Sequence, residues 1–132
     1  MKTAVVRKHD LLYPALSYKI VGCAYDVYNQ LGAGHHEKYY QRALAKALTD
    51  RGINFQEQAV YPLVYRGSVI GRQRLDYVIE NCVVVEIKKG SQFSRSHIEQ
   101  ILEYLKISNL KLAILINFGD RGVLFRRIVN IK

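Results

Sequence analysis

Tryptophan is absent, proline and cysteine occur twice each, and glycine only nine times in 132 residues. Such scarcity excludes a collagen-like, low-complexity or disulfide-knit chain. Cys23 and Cys82 lie far apart with no further Cys or His at zinc-finger spacing, which removes a metal knuckle and a CxxC redox pair; both read as small apolar side chains. No apolar run approaches the roughly 20 residues that a membrane-spanning helix needs. The first ten residues, Met1 to Asp10, lack the apolar stretch of a secretory signal. They are expected to form a flexible N-terminus, and the protein to be cytoplasmic and free of membrane. Acid is the other shortage: eleven Asp and Glu face twenty Lys and Arg, for a formal charge of +9. On so small a body that excess sets up a strong positive surface potential and points to a polyanionic partner. Charge by itself leaves nucleic-acid binding open, because a basic surface also serves solubility alone.

Apolar residues make up 49% of the chain, enough to bury a core without metal or disulfides. One domain over residues 1–132 is expected. Between Leu12 and Leu31, Leu16, Ile20, Ala24, Val27, Tyr28 and Leu31 recur at helical steps, and Gly32-Ala33-Gly34 ends the pattern. A second helix is expected from His36 to Arg51, stopped by Gly52, with Glu37 in its first turn. The pattern then becomes β-rich: Phe55 to Tyr65 and Val69 to Ile79, joined by Arg66-Gly67-Ser68, with Pro62 marking an edge strand or a bulge. Val83 to Ile87 is dense in β-branched residues and reads as a central strand buried on both faces, where Glu86 is costly. Ser94 is a candidate N-cap for a helix reaching about Ile107. Leu112 to Asn117 and Val123 to Val129 supply the last two strands. The expected fold is α/β, a central mixed sheet flanked by helices.

Chemistry concentrates around the Glu80-Asn81 turn. A three-residue loop, Glu80 to Cys82, pairs Ile79 with Val83 and sets Asp76 opposite Glu86, with Lys88 on the same face and Ile87 turned into the core. A two-residue turn would put the carboxylates on opposite faces. Two adjacent carboxylates repel, and a hard divalent ion such as magnesium relieves them. Such an ion activates water, while a lysine ammonium stabilises charge on a phosphoryl group. Spacing equally allows an ordinary Asp76–Lys88 ion pair on a solvated face.

Gly34-His35-His36-Glu37-Lys38-Tyr39-Tyr40 fits the pattern Gly-x-x-Glu-x-x-Tyr and resembles the GxxExxY family, a branch of the PD-(D/E)XK nuclease superfamily. Arg74-Leu75-Asp76-Tyr77-Val78, Glu86-Ile87-Lys88, the Gln100 to Lys106 segment and Leu115-Ile116-Asn117-Phe118-Gly119 resemble that family's later blocks, in order. Each block is weak by itself; their joint order is the specific feature. The resemblance implies a restriction-endonuclease-like core and a metal-dependent nuclease site, with Asp76 and Glu86 as ligands of magnesium, or alternatively manganese. It further implies Lys88 as catalytic lysine, and Glu37 and Gln100 as auxiliary residues carried on helices. Leu75 stands where the superfamily's name has proline; that position supplies neither ligand nor proton.

Taken without the resemblance, Glu37 is a first-turn acid complementing the helix dipole, Gln100 a surface amide, and Tyr40 and Tyr104 core aromatics. His35 and His36 read as solvent-exposed. Among nearby basic residues, Lys89 and Arg95 are the candidates for gripping phosphates of DNA or RNA. The function expected is phosphodiester hydrolysis. The alternatives are a catalytically silent nucleic-acid-binding module on the same fold and a small interaction protein. The limited surface of a domain this size also leaves room for a homodimer.

Overall fold

A computed structural model describes residues 12–90 and 92–130; the expectation for residues 1–10 lies outside them. The chain runs α1 (Pro14–Leu31), α2 (Glu37–Asp50), β1 (Phe55–Tyr65), β2 (Ser68–Ile79), β3 (Val83–Lys89), α3 (Arg95–Ser108), β4 (Leu112–Phe118) and β5 (Val123–Val129). Each element anticipated from residue periodicity is present, with ends displaced by no more than two residues. The largest displacements, two residues each, are the start of α1 and the end of β3. Pro14 sits in its first turn, where a missing N–H costs nothing and the fixed φ favours helix.

The five strands form one mixed sheet in the order β1-β2-β3-β4-β5. Neighbours are antiparallel except β3 and β4, which run parallel and are joined through α3. Their apolar runs explain this central place: all of β4 and the first five residues of β3 are buried. Helices α1 and α2 cover one face, packing Ile20, Val27, Tyr40, Leu44 and Leu48 against Tyr77, Ile79, Ile87 and Ile116. Helix α3 covers the other, with Ile101 and Leu105 against Leu75, Val84, Ala113, Leu115 and Ile128.

The hairpin β1–β2 outruns its neighbour. Its pairing extends from Phe55↔Ile79 to Tyr65↔Ser68, whereas β2 pairs with β3 only from Tyr77↔Val85 to Ile79↔Val83. The distal part is therefore a two-stranded ribbon that leaves Val64, Tyr65, Val69 and Ile70 exposed. Pro62 lies in edge strand β1, one residue before a register shift at Leu63/Val64, as its missing N–H requires.

Candidate functional site

The turn between β2 and β3 sets the geometry. Glu80 and Asn81 both adopt left-handed backbone (φ 51 and 57), Cys82 N–H donates to Ile79 C=O at 3.0 Å, and Ile79 pairs with Val83. This is the three-residue loop, so the register carries Asp76 towards Glu86. Just there the ladder stops. Asp76 N–H donates to Glu86 Oε2 at 2.5 Å, and Ile87 N–H donates to Asp76 Oδ2 at 2.8 Å. Each carboxylate thus takes a backbone amide of the opposite strand, and the two acids hold the splayed strands by a reciprocal clasp.

A second irregularity aims Asp76. The rung between Gln58 and Asp76 is missing from the β1–β2 ladder, and Gln58 is left-handed (φ 51). Regular alternation would send Leu75 and Tyr77 to one face. Instead Leu75 joins the α3-side cluster while Tyr77 joins the α1/α2-side cluster, so the strand rolls over at Asp76.

Both helical layers then reach the acids. From α2, Gln41 Nε2 donates to Asp76 Oδ1 at 3.3 Å, and Tyr77 OH donates to the Gln41 carbonyl. From α3, His97 Nε2 lies 3.2 Å from Glu86 Oε1. The His97 ring is held parallel to Phe93, 5.5 Å between centroids. Glu86 is only 4% exposed, so its carboxyl group is held almost out of solvent. Burial is the main cause that lifts the Asp76 carboxyl to about 7; the nearby Glu86 raises it further, the Ile87 N–H opposes, Glu37 adds a smaller rise and His97 a smaller fall. Burial also raises the phenols of Tyr77 and Tyr61, with Glu86 contributing to both.

Glu37 opens α2, beside the end of β3. Gly34 is left-handed (φ 88), the His36 side chain caps the helix by accepting from Lys38 N–H, and fully buried Tyr40 donates to Gly32 C=O at 2.6 Å while stacking on Phe118. Glycine, glutamate and tyrosine of the Gly-x-x-Glu-x-x-Tyr stretch thus have separate tasks: a turn, a presented acid and an anchor. Glu37 Oε1 accepts a long 3.4 Å contact from Lys89 N–H. Lys88 is exposed two residues beyond Glu86, and among the described residues it forms no ion pair with Asp76. Gln100 is exposed one turn beyond His97, and no hydrogen bond joins it to either acid. Lys89 and Arg95 are exposed as well, and Arg95 lies 3.6 Å from Glu99.

Asp76 and Glu86 therefore come together, Glu37 lies near enough to act on Asp76 through its charge, Lys88 follows Glu86 by two residues on β3, and among the described residues Gln100 makes no hydrogen bond to either acid. Gln41, His97 and Tyr61 are neighbours that sequence reasoning did not single out. Gln41 follows Glu37 by one helical turn, the one signal that could have found it. Among the described residues no group of three or more His, Cys, Asp or Glu side chains is arranged to hold a metal. A buried Glu86 and a half-buried Asp76, the latter driven towards neutrality, nevertheless fit a hard ion that takes one or two carboxylates and keeps its waters.

Residues 14–128 match the PD-(D/E)XK nuclease superfamily. No curated protein matches. Among solved structures the chain is similar to the crystal structure of SSO0001, with TM-score 0.54 and 20% identity over 70% of this chain; it spans 50% of that chain's length. It also matches LHK-Exo in complex with dAMP, at TM-score 0.48 and 11% identity, covering 87% of this chain and 82% of that one. The alkaline exonuclease LHK-Exo from Laribacter hongkongensis matches at TM-score 0.41 and 12% identity, covering 86% and 82%. The α/β sheet flanked by helices is accordingly a restriction-endonuclease-like core.

Proposed function

The chain belongs to the PD-(D/E)XK nuclease superfamily, and from that premise we propose that it is a metal-dependent nuclease of the GxxExxY branch, hydrolysing phosphodiester bonds in DNA or RNA. The observation that carries this reading is the Asp76–Glu86 clasp: two carboxylates meet where the strands part, and the Asp76 carboxyl is lifted to about 7. Asp76 and Glu86 would hold magnesium, or manganese in its place. Bound there, the ion would lower the pKa of water and polarise a phosphoryl oxygen.

The chain's own residues perform the rest. Lys88 Nζ brings a positive charge to the phosphate as negative charge grows on its non-bridging oxygens. His97 holds Glu86 Oε1, and Gln41 holds Asp76 Oδ1, so the acids are oriented before substrate arrives. Glu37, at the head of α2, adds negative charge beside Asp76 and makes the pocket more attractive to a cation. Water's oxygen forms the new bond to phosphorus and gives up a proton to solvent, the P–O bond to the sugar breaks, and the departing oxygen takes a proton from solvent. Gln100 serves as an auxiliary polar group on α3, and Lys89 and Arg95 grip flanking phosphates. The single domain 1–132 acts in the cytoplasm, alone or as a homodimer.

The test is titration of magnesium and manganese into wild type and an Asp76→Ala, Glu86→Ala variant, followed by cleavage assays on DNA and RNA. Metal binding lost in the double variant, and cleavage lost in Glu86→Gln and Lys88→Ala with melting preserved, is the expected result. Cleavage unchanged in both single variants would sink the proposal. A catalytically silent nucleic-acid-binding module is the second reading, favoured by the formal charge of +9 together with acids already partnered by protein donors. It predicts binding that persists in EDTA and no cleavage with either metal.

A further inference from the structure

Strand β4 reads Leu112-Ala113-Ile114-Leu115-Ile116-Asn117-Phe118, apolar throughout except at Asn117. Asn117 is 6% exposed, and its Nδ2 is the one buried side-chain nitrogen or oxygen among the described residues without a hydrogen-bond partner. A native core normally satisfies such a donor, so an orphan inside an apolar strand calls for a partner from outside the chain. The same side chain lines an open cleft of about 370 Å³ between the leader into α3 and strand β5, together with Gln92, Phe93, Leu124 and Arg126. That size lies within the roughly 300–1,000 Å³ common for small-ligand sites.

The register ties this cleft to the acids. Lys88 pairs with Asn117, which pairs with Leu124, and paired residues share a face of the sheet. Asn117 therefore lies directly across from Lys88 on the neighbouring strand, where strands run about 4.8 Å apart. The cleft walls combine an aromatic ring, an aliphatic side chain, a buried carboxamide and an exposed guanidinium. One face of Phe93 is occupied by His97, which itself touches Glu86, so cleft and acids have a wall in common.

We propose that this cleft seats a nucleobase of the nucleotide adjoining the phosphate under attack, with the Asn117 carboxamide hydrogen-bonding the base edge and Phe93 and Leu124 flanking its plane. The assignment rests on the nuclease reading and extends it to the contact that reads a base. A carboxamide suits the task because it offers donor and acceptor side by side, as base edges do. A free phosphate would engage Arg126 but leave the apolar wall and the buried amide without purpose.

The experiment compares binding, in EDTA, of short single-stranded DNA and RNA oligonucleotides with versions of the same length carrying abasic sugars at every position. Wild type is expected to prefer the base-bearing strand about tenfold, the scale of one good amide–base contact. Asn117→Leu should erase that preference, keep its affinity for the abasic strand, and melt no lower than wild type, since it removes an unsatisfied donor. Asn117→Ser, closer in size and polarity, guards against a misfolded leucine variant and should also lose the preference. Equal affinity of wild type for both strands, or a preference that survives both substitutions, overturns the pocket. Cleavage by wild type after magnesium is added reads the nuclease proposal separately, so either reading can fail while the other stands.

Discussion

At the scale of single residues, Asp76 carries the most testable chemistry. Its carboxyl rises from 3.8 to about 7, chiefly by burial and then by Glu86. Between those values the native protein keeps a proton that the unfolded chain has released. Stability contributed by this group is therefore complete at about pH 4 and is lost as pH rises through 7, by at most about 4 kcal/mol. Urea unfolding in EDTA at a series of pH values should show that decline in wild type and a flatter profile in Asp76→Asn. An unchanged slope in the variant would assign the decline elsewhere. His97 pulls in the opposite direction, since its contribution lowers Asp76. Carboxyl carbon NMR of His97→Ala should therefore show Asp76 titrating at higher pH than in wild type.

At the scale of elements, the α1–α2 corner is built by few residues and can be dismantled one at a time. Tyr40→Phe removes the hydroxyl that donates to Gly32 C=O and accepts from His35 N–H, while leaving the stack on Phe118. Its loss should cost about 1–2 kcal/mol in chemical denaturation. At Gly34 (φ 88) an added Cβ meets nothing within 4 Å, so Gly34→Ala should pay only the left-handed backbone cost of about 1–2 kcal/mol. Both variants should also loosen Glu37 beside Lys89 N–H, and metal affinity should fall with stability.

The legibility of the sequence follows the same division by range. Helix and strand positions were readable because Ile20, Ala24 and Val27, or Val83 to Val85, repeat at the period their element needs. The meeting of Asp76 and Glu86 was readable once a three-residue turn was chosen, because pairing is set by counting from the turn. The role of Tyr40 was only half readable: a core aromatic was expected, but not the hydroxyl that ties the two helices together. His97 and Gln41 were not readable, since which helical residue reaches a strand depends on how the helix docks, and no local period encodes that. Gln100 shows the same limit from the other side: the block resemblance places it on the right helix, yet the docking gives the contact with Glu86 to His97, one turn earlier. The roll of β2 at Asp76 was hidden too, because it arises from the left-handed turn at Gln58 on another strand.

At the scale of the whole molecule, the excess of twenty basic over eleven acidic residues should govern association with nucleic acid. Arg66, Arg72 and Arg74 are exposed on β2 and its turn, while Lys88 and Lys89 are exposed at the end of β3 and Arg95 at the start of α3. If about four phosphates are neutralised, a fourfold rise in salt should weaken binding about a hundredfold, from a slope near −0.9 per phosphate. Fluorescence anisotropy between roughly 50 and 200 mM salt would measure the slope. A flat response would leave the charge without a nucleic-acid role and favour a small interaction protein.

The parallel pairing of β3 with β4 also has a consequence in time. The β1–β2 hairpin closes through Arg66-Gly67 and joins residues close in sequence, so it is suited to form on the microsecond scale typical of hairpins. Val83 meets Leu112 only after α3 has been laid across the sheet, a non-local closure that comes at a higher entropic cost. The Lys88–Asn117 rung belongs to that slower step. A refolding chain should therefore regain its hairpin amide protection first and the protection of the β3–β4 amides last, so that the Asn117 cleft is completed only when folding ends.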